Sequence, residues 1–450
     1  MFKKTFSFIL VLFFLLTPHF VFANTQLGPV SIYFNHDSKS SYTEPYRKIQ
    51  RSGDDLEAVF INAIHEAKKS IDLAVYELRL PNVAKALVEQ SKRGIAVRIV
   101  LEGQNSRPLS DLTPADVAKL SAHDRQNYDD YFKLMDANGD GKLSADEILD
   151  HDALAILRNA HVQWIDDTAD GSKGSGLMHH KFMVIDGKTT VVSSANLTLS
   201  CIHGDMLAKD SRGNSNGVMV FQSQELAQQF ETEFGYLWAH QFKIKKPVRA
   251  PVTVTVGSTT VTVQFSPISK KYGYPASVNG LIEREILKTH RSADLAQFVF
   301  SEQQLVDDLQ PLNESQGTIR ALIDPEFAFR NYSSLLDMFG LQLLTEKCVY
   351  QTGDNPWKHP IHTGGIPKLP QGDLLHHKFA ILDDERVIFG SHNWSDAANH
   401  HNDETLIVVT SKEVAHSFDD EFSRLYASAD LGPHAWLLQK IKDQKKACGQ

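Results

Sequence analysis

The chain has 450 residues, enough for two or three domains. Its 42% hydrophobic and 22% charged content excludes a disordered chain and marks a globular one. A formal net charge of −9 gives no general attraction to polyanions and argues against a dedicated nucleic-acid binder.

The N-terminus reads as a signal peptide over residues 1–23. Lys3 and Lys4 precede an apolar core from Phe8 to Leu16, and Val21-Phe22-Ala23 offers cleavage after Ala23. The expected mature protein is secreted or periplasmic, and loss of two lysines takes its net charge from −9 to −11. The apolar run is short and broken by Pro18, unlike a membrane anchor, and no later stretch is long enough to span a bilayer.

The mature chain opens with a predicted strand at Val30 to Phe34. A helix from about Asp54 to Lys69 carries Leu56, Val59, Phe60, Ala63 and Ile64 on one face. A strand at Ile71 to Tyr76, a helix at Asn82 to Arg93 and a buried strand at Ala96 to Glu102 follow. From about Gln104 to Asp150 comes a segment with no counterpart later in the chain. It contains DANGDGKLSADE, Asp136 to Glu147, which looks like a complete EF-hand loop. Asp136, Asn138 and Asp140 take ligand positions one, three and five, and Gly141 the sharp turn. The Lys142 carbonyl, Ser144 and the bidentate Glu147 take seven, nine and twelve. Helical stretches are expected from about Asp124 to Met135 and from Ala145 onward. Calcium is therefore an expected structural or regulatory cofactor.

The stretch Leu177 to Asn196, LMHHKFMVIDGKTTVVSSAN, gathers His179, Lys181, Asp186, Ser194 and Asn196. Leu375 to Asn393, LHHKFAILDDERVIFGSHN, repeats it with His376, Lys378, Asp383, Ser391 and Asn393. The histidines (179 and 376) and the asparagines (196 and 393) each recur 197 residues apart. Each stretch reads as two strands joined by a tight turn at the aspartate. Pairing Lys181 with Ser194 and His179 with Asn196 puts His, Lys, Ser and Asn on one face. Asp186 differs in parity and reads as a turn residue. His180 and His377 fall on the opposite face and read as packed histidines. Asn196-Leu-Thr and Asn393-Trp-Ser match a glycosylation sequon, but sugar there would block the patch, so both matches read as coincidence.

The flanks repeat as well. ADLAQFVF at Ala293 echoes IDLAVYEL at Ile71, and TIRALIDPE at Thr318 echoes AVRIVLEGQ at Ala96. Leu226, Phe230, Phe234 and Leu237 match Val414, Phe418, Phe422 and Leu425 on two helices with serine caps at Ser223 and Ser411. A duplicated α/β unit follows, with residues 24–248 as one domain, carrying the insertion at about 104–150, and 249–450 as the other. The basic stretch Lys243 to Pro251 marks the boundary. Cys201 and Cys348 each lie near a motif, which favours them over Cys448 as a disulfide pair and leaves the other pairings open.

The pattern His-x-Lys, four residues, Asp, six residues, Gly-Ser-x-Asn resembles that of the phospholipase D superfamily. The second copy matches throughout; the first has Ser193 where the family has Gly. The resemblance implies two tandem α-β-α domains about a pseudo-twofold axis with one shared active site. Each half most resembles the compact bacterial endonuclease and cardiolipin-hydrolase branch. In that branch an acidic residue after the motif orients the histidine. Glu404 stands there in the second half. The first half has Ser215, so its histidine needs another partner, with Asp205 and Asp210 as candidates.

Such a site suits phosphoryl transfer without a catalytic metal. One imidazole attacks phosphorus and the other protonates the leaving oxygen. Lysine, asparagine and serine donate to the non-bridging oxygens. By resemblance His179 is the nucleophile and His376 the acid, and water or a second alcohol then takes the phosphoryl group. The acidic charge and the apolar residues Phe327, Phe329, Trp357 and Trp394 favour a phospholipid substrate, with peripheral membrane contact. An endonuclease acting on DNA or RNA is the first alternative, since those aromatics also suit base stacking or a core. A non-catalytic calcium-binding interaction protein is the second, opposed by the intact His, Lys and Asn of both copies. No protein partner is readable.

Overall fold

A computed structural model of the chain describes residues 25–171 and 176–449. The signal segment lies outside the described residues.

Two mixed sheets are built with the same strand order. The first runs Val30–Phe34, Gly217–Gln222, Thr189–Ser193, Lys181–Ile185, Ser70–Val75, Ala96–Leu101, Trp164–Asp166, with Thr25–Leu27 at one edge. The second runs Thr259–Ser266, Glu404–Thr410, Arg386–Gly390, Lys378–Leu382, Ser292–Gln297, Thr318–Ile323, Gly364–Ile366, edged by Val252–Val256 and Asp430–Leu431. Ser70–Val75 pairs in parallel with Ala96–Leu101, and Ser292–Gln297 with Thr318–Ile323. A parallel pair needs a crossover. The helices Pro81–Lys92 and Gln303–Glu314 supply it.

The helices Gln224–Trp238 and Lys412–Tyr426 join the two sheets. Their buried faces (Leu226, Phe230, Phe234, Leu237; Val414, Phe418, Phe422, Leu425) enter one core that draws on strands of both sheets. Ser223 and Ser411 cap them by accepting the amides of Leu226 and Val414. Each helix also carries an aromatic face under a half-buried ion pair. Arg98 bonds Asp72 at 2.7 and 2.6 Å and lies over Phe234; Arg320 bonds Asp294 at 2.6 and 2.7 Å and lies over Phe422. The outer faces are covered by Leu56–Glu66 and Pro81–Lys92 in one half, and by Val278–Leu287 and Gln303–Glu314 in the other.

Two expectations are corrected. The disulfide joins Cys348 to Cys448, with Cα atoms 5.5 Å apart, and Cys201 is buried and free. Proximity to a motif in sequence says nothing about which sulfur a folded loop reaches. Trp357 and Trp394 are 2% and 0% exposed, so they are core and offer no surface to lipid or bases. The boundary stretch from Lys243 to Pro251 is tied down by ion pairs. Lys243 pairs with Asp167 at 3.0 Å, and Lys246 with Asp403 at 2.7 Å and with Glu233. Both ammonium groups are buried, where an unpaired charge would be costly, so the link is fixed to both halves.

The inserted segment folds as helices Ala122–Met135 and Ala145–His151 around the loop, with Gly141 at φ 79° in the turn. It is latched to the first motif. The Tyr131 hydroxyl accepts the Leu199 amide at 2.9 Å, and the Asp130 carboxylate accepts that of Leu207 at 2.6 Å.

Candidate active site

The motif hairpins differ from the expected pairing by one residue. Ile185 pairs with Thr189 around the three-residue loop Asp186-Gly187-Lys188, so Phe182 faces Val192 and Lys181 lines up with Ser193. Asp186 and Gly187 adopt φ of 54° and 62° to close it. Strict alternation would then carry Ser194 and Asn196 to the face of His180. They escape because the ladder stops at Ser193. The Ala195 amide donates to Ser193 Oγ at 2.9 Å, and the Ser194 amide to the Gly217 carbonyl at 3.1 Å.

The two histidines are oriented from across the molecule. His179 Nδ1 lies 2.8 Å from Glu404 Oε2, a carboxylate of the second half. His376 Nδ1 lies 3.0 Å from Asn216 Oδ1, an amide of the first half. Glu404 thus serves His179, not the histidine of its own half, and Asp205 and Asp210 are not its partners. The residue equivalent to Glu404 is Asn216, one beyond the expected Ser215, because Val218 pairs with Ser193 as Leu406 pairs with Gly390. The motif serines lock the same two groups. Ser391 Oγ donates to Glu404 at 2.6 Å and Ser194 Oγ to Asn216 at 2.9 Å.

Lys181 and Lys378 are buried, and each ammonium donates to the carbonyl of its own motif histidine, at 2.9 and 2.7 Å. That satisfies one of three N–H donors on each. Tyr76 packs on His179 and under Lys181; Phe298 does the same for His376 and Lys378. These two aromatics were not singled out from sequence, although the echoed segments align them. Asn196 and Asn393 are half-buried, and each keeps a buried side-chain oxygen without a partner. The two asparagines thus occupy matching positions in the two halves.

Asp186 and Asp383 lie elsewhere. Asp186 accepts the amides of Lys68, Lys69 and Ser70 at 2.8, 2.7 and 2.9 Å, and Asp383 accepts those of His290, Arg291 and Ser292. Both sit at the turn, a five-residue strand away from the lysine, roughly 15 Å by strand rise. They pin the hairpin and do not reach the histidines. His180 bonds Thr405 at 2.8 Å and Glu233 at 3.3 Å, and His377 bonds Glu421 at 2.9 Å, as packed histidines should. His180, Glu233 and Asp403 come close enough to hold a metal ion, but the Lys246 ammonium already bonds both carboxylates and is the cation of that cluster.

Burial sets the charge state. It lowers His179 to about 4, against the opposing pull of Glu404. It lowers His376 well below 6.5, helped by Lys378, Lys181 and His179. Lys181 falls to about 8, and Lys378 falls well below its usual value by burial and then by Lys181. Burial would raise Glu404, but His179 and Lys181 hold it at about 2. The first-half groups feel those of the second half, so the two motifs form one electrostatic unit. Burial works against every positive charge in it, and Glu404 is the carboxylate that offsets them.

A cavity of about 650 Å³ opens on the His376 side of this cluster, lined by Tyr76, Asn196, Phe298 and His376. Its outer wall is the insertion: Leu109, Leu112, His123, Asn127 and Tyr128 all face it. Sequence reading gave the insertion only a calcium loop; nothing in its own residues points to the distant motif.

Residues 60–238 and 282–426 match the family described as "Cardiolipin synthase, PLD-like domain". The chain is 28% identical over 159 residues to the mitochondrial cardiolipin hydrolase of Mus musculus, covering 35% of this chain and 62% of that one. It is 29% identical over 145 residues to the human protein of the same name, covering 32% and 48%. The match thus spans about half to three fifths of the length of these curated relatives. The fold is similar to that of the phosphatidylserine synthase of Haemophilus influenzae Rd KW20, at TM-score 0.55 and 14% identity, over 96% of this chain and 94% of that one. With both motif hairpins and their flanking strands inside the matched residues, the chain belongs to the cardiolipin synthase, PLD-like domain family.

Proposed function

We propose that the protein is an exported phosphodiesterase of phospholipase D type, acting on phospholipid diesters through a phosphohistidine. The observation that carries this reading is the crossed pair His179–Glu404 and His376–Asn216. A carboxylate accepting the Nδ1 proton makes Nε2 of His179 the stronger nucleophile and stabilises the cation formed on attack. A neutral amide behind His376 does neither, which suits an acid. His179 attacks phosphorus as the bond to the leaving alcohol breaks and His376 protonates that oxygen. His376 then takes a proton from water or from a second alcohol, whose oxygen attacks phosphorus and breaks the bond to His179, freeing the imidazole. Lys181, Lys378, Asn196 and Asn393 donate to the phosphoryl oxygens, and Ser194 and Ser391 fix the orienting groups. A bound diester anion favours the charged forms of the buried bases and raises His376 towards the protonated form the step needs.

The wall of the cavity supports lipid over a polynucleotide. Glu77, Asp124, Asp205 and Glu326 outnumber Arg79 and Arg107 there, and successive phosphates would be repelled. Calcium fits the inserted loop as a structural or regulatory ion. Asp136, Asn138, Asp140, Ser144 and Glu147 would hold it with the Lys142 carbonyl. The helix–loop–helix frame and the Gly141 turn match that donor set.

The test is hydrolysis by the purified mature protein in EDTA of a small soluble diester, phosphatidylcholine, cardiolipin and single-stranded DNA. Turnover of the soluble diester and of lipid is expected, and His179→Ala or His376→Ala should each abolish it. Near-normal activity in either folded variant would refute the two-histidine chemistry, and cleavage of DNA alone would refute the lipid reading.

A further inference from the structure

The C-terminal helix Ala435–Ala447 is held in an unusual way. Among its residues Leu437 alone is fully buried, with Ile441 half-buried behind it. A 13-residue helix with so little packing would not hold its place unaided. The Cys348–Cys448 disulfide ties its end to the loop at 343–352. What the staple holds at the surface is apolar and basic. Trp436 is 51% exposed, Val349 54% and Leu438 39%. Lys440, Lys442, Lys445 and Lys446 stand on the helix against one acid, Asp443, in a chain of net charge −9.

Trp436 and Lys440 share one flank of the helix with the loop. A groove of about 660 Å³ between loop and helix is lined by Phe329, Arg330, Lys347, Val349, Tyr350 and Lys440, with Glu346 as its one acid. A shallower groove beside it is lined by Trp436, the same Lys440 and Asp443. The surface is continuous with the mouth of the active site through one short loop. Glu326 lines the catalytic cavity, Phe327 packs on Phe298 at 4.8 Å, and Phe329 packs on Trp436 at 5.1 Å.

We propose that the stapled helix and loop form a docking surface for an anionic lipid bilayer, with Trp436, Val349 and Tyr350 entering the interface and Arg330, Lys347 and Lys440 meeting the headgroups. The partner follows from charge and shape. Exposed tryptophan and tyrosine beside lysine suit the boundary between headgroups and acyl chains. Each lysine near an anionic leaflet adds attraction that salt screens. The proposal rests on the lipid reading of the active site: docking here brings the catalytic mouth to the headgroup layer, where the diester lies.

The test uses the full mature chain, its Trp436→Ala variant and its Lys347→Glu/Lys440→Glu variant. Each is sedimented with vesicles of equal parts phosphatidylglycerol and phosphatidylcholine, and with pure phosphatidylcholine. The native chain is expected to bind the anionic vesicles in a salt-sensitive way and the neutral ones weakly. Each variant should lose roughly tenfold or more in vesicle affinity, in line with the attraction expected per lysine. Hydrolysis of a soluble diester should not change, since neither variant touches the cavity. Equal partition of native chain and variants, or a native chain that stays in the supernatant, would overturn the proposal. So would a dimer on size exclusion that Trp436→Ala dissolves, because the surface would then belong to a second copy. Vesicle binding needs no turnover. Binding as expected by a chain inert on every diester would keep the docking surface and reject the chemistry.

Discussion

Glu404 is where the account is most exposed at the level of single residues. It sits on the second sheet, yet its carboxylate bonds His179 of the first half and Ser391 of its own. Glu404→Gln should lower kcat by roughly 10²–10⁴, the usual range for a proton-handling group, with KM little changed. The pH dependence follows from the shifts. Both histidines are lowered in the free protein, so the protonated acid is lost at lower pH than for an ordinary imidazole. kcat/KM, which reports the free enzyme, should peak on the acid side of 6.5 and fall through neutrality, and fall again as Lys181 loses its charge near 8. kcat, which reports the bound state, should peak at higher pH because the anion raises His376. A kcat/KM that climbs from pH 6 to 9 would contradict this. The motif residues were legible because they are contiguous and repeat at fixed spacing. The crossing was not, because a hydrogen bond between halves depends on how two folded units meet. Asn216 was missed by one position, since its place is fixed by strand pairing and not by distance along the chain.

At the level of elements, the helices and strands follow their hydrophobic periods closely. The expected helix at Asp54 to Lys69 is Leu56–Glu66, and the expected strand at Ile71 to Tyr76 is Ser70–Val75. The hairpin register failed by one because a turn of two and a turn of three share the same Asp-Gly signal. The inserted segment carries the largest addition. Its helix Ala122–Met135 lines the cavity, latches to Leu199 through Tyr131, and is capped by Asp136, the first residue of the loop. The loop carboxylates already accept amides, Asp136 from Asp140 and Gly141, and Glu147 from Asn138 and Ser144. A bound divalent ion would relieve their mutual repulsion. Calcium at tenfold above Kd should add about 1.4 kcal/mol of stability. The expected outcome is a small rise in melting temperature that saturates at high-micromolar to millimolar calcium, mostly removed by Glu147→Gln. Equal, unmoved melting curves would reduce the segment to an acidic cavity wall.

At the level of the molecule, the halves are not independent. They share the core between the sheets, the buried Lys246 pairs to Glu233 and Asp403, and the two crossed histidine contacts. The duplication was legible from echoed segments. The interlock was not, because sequence echoes record two similar units and say nothing of the face they present to each other. The disulfide adds a constraint of a different kind, closing a loop of 100 residues. Cys448→Ser should cost roughly 3–5 kcal/mol by the loop-entropy argument, read as a lower denaturation midpoint, and should free the C-terminal helix to early proteolysis. An unchanged midpoint and cleavage pattern would show the helix to be held by its few contacts alone.

The central claim is that two motifs make one site, with His179 as its nucleophile. Rapid base quench during turnover of a soluble diester, followed by mass spectrometry of the acid-labile phosphohistidine, tests it most directly. The account predicts at most one phosphoryl group per chain, on His179, absent in His179→Ala and strongly reduced in Glu404→Gln. Phosphorylation of both His179 and His376 to two groups per chain, or of His376 alone, would contradict it.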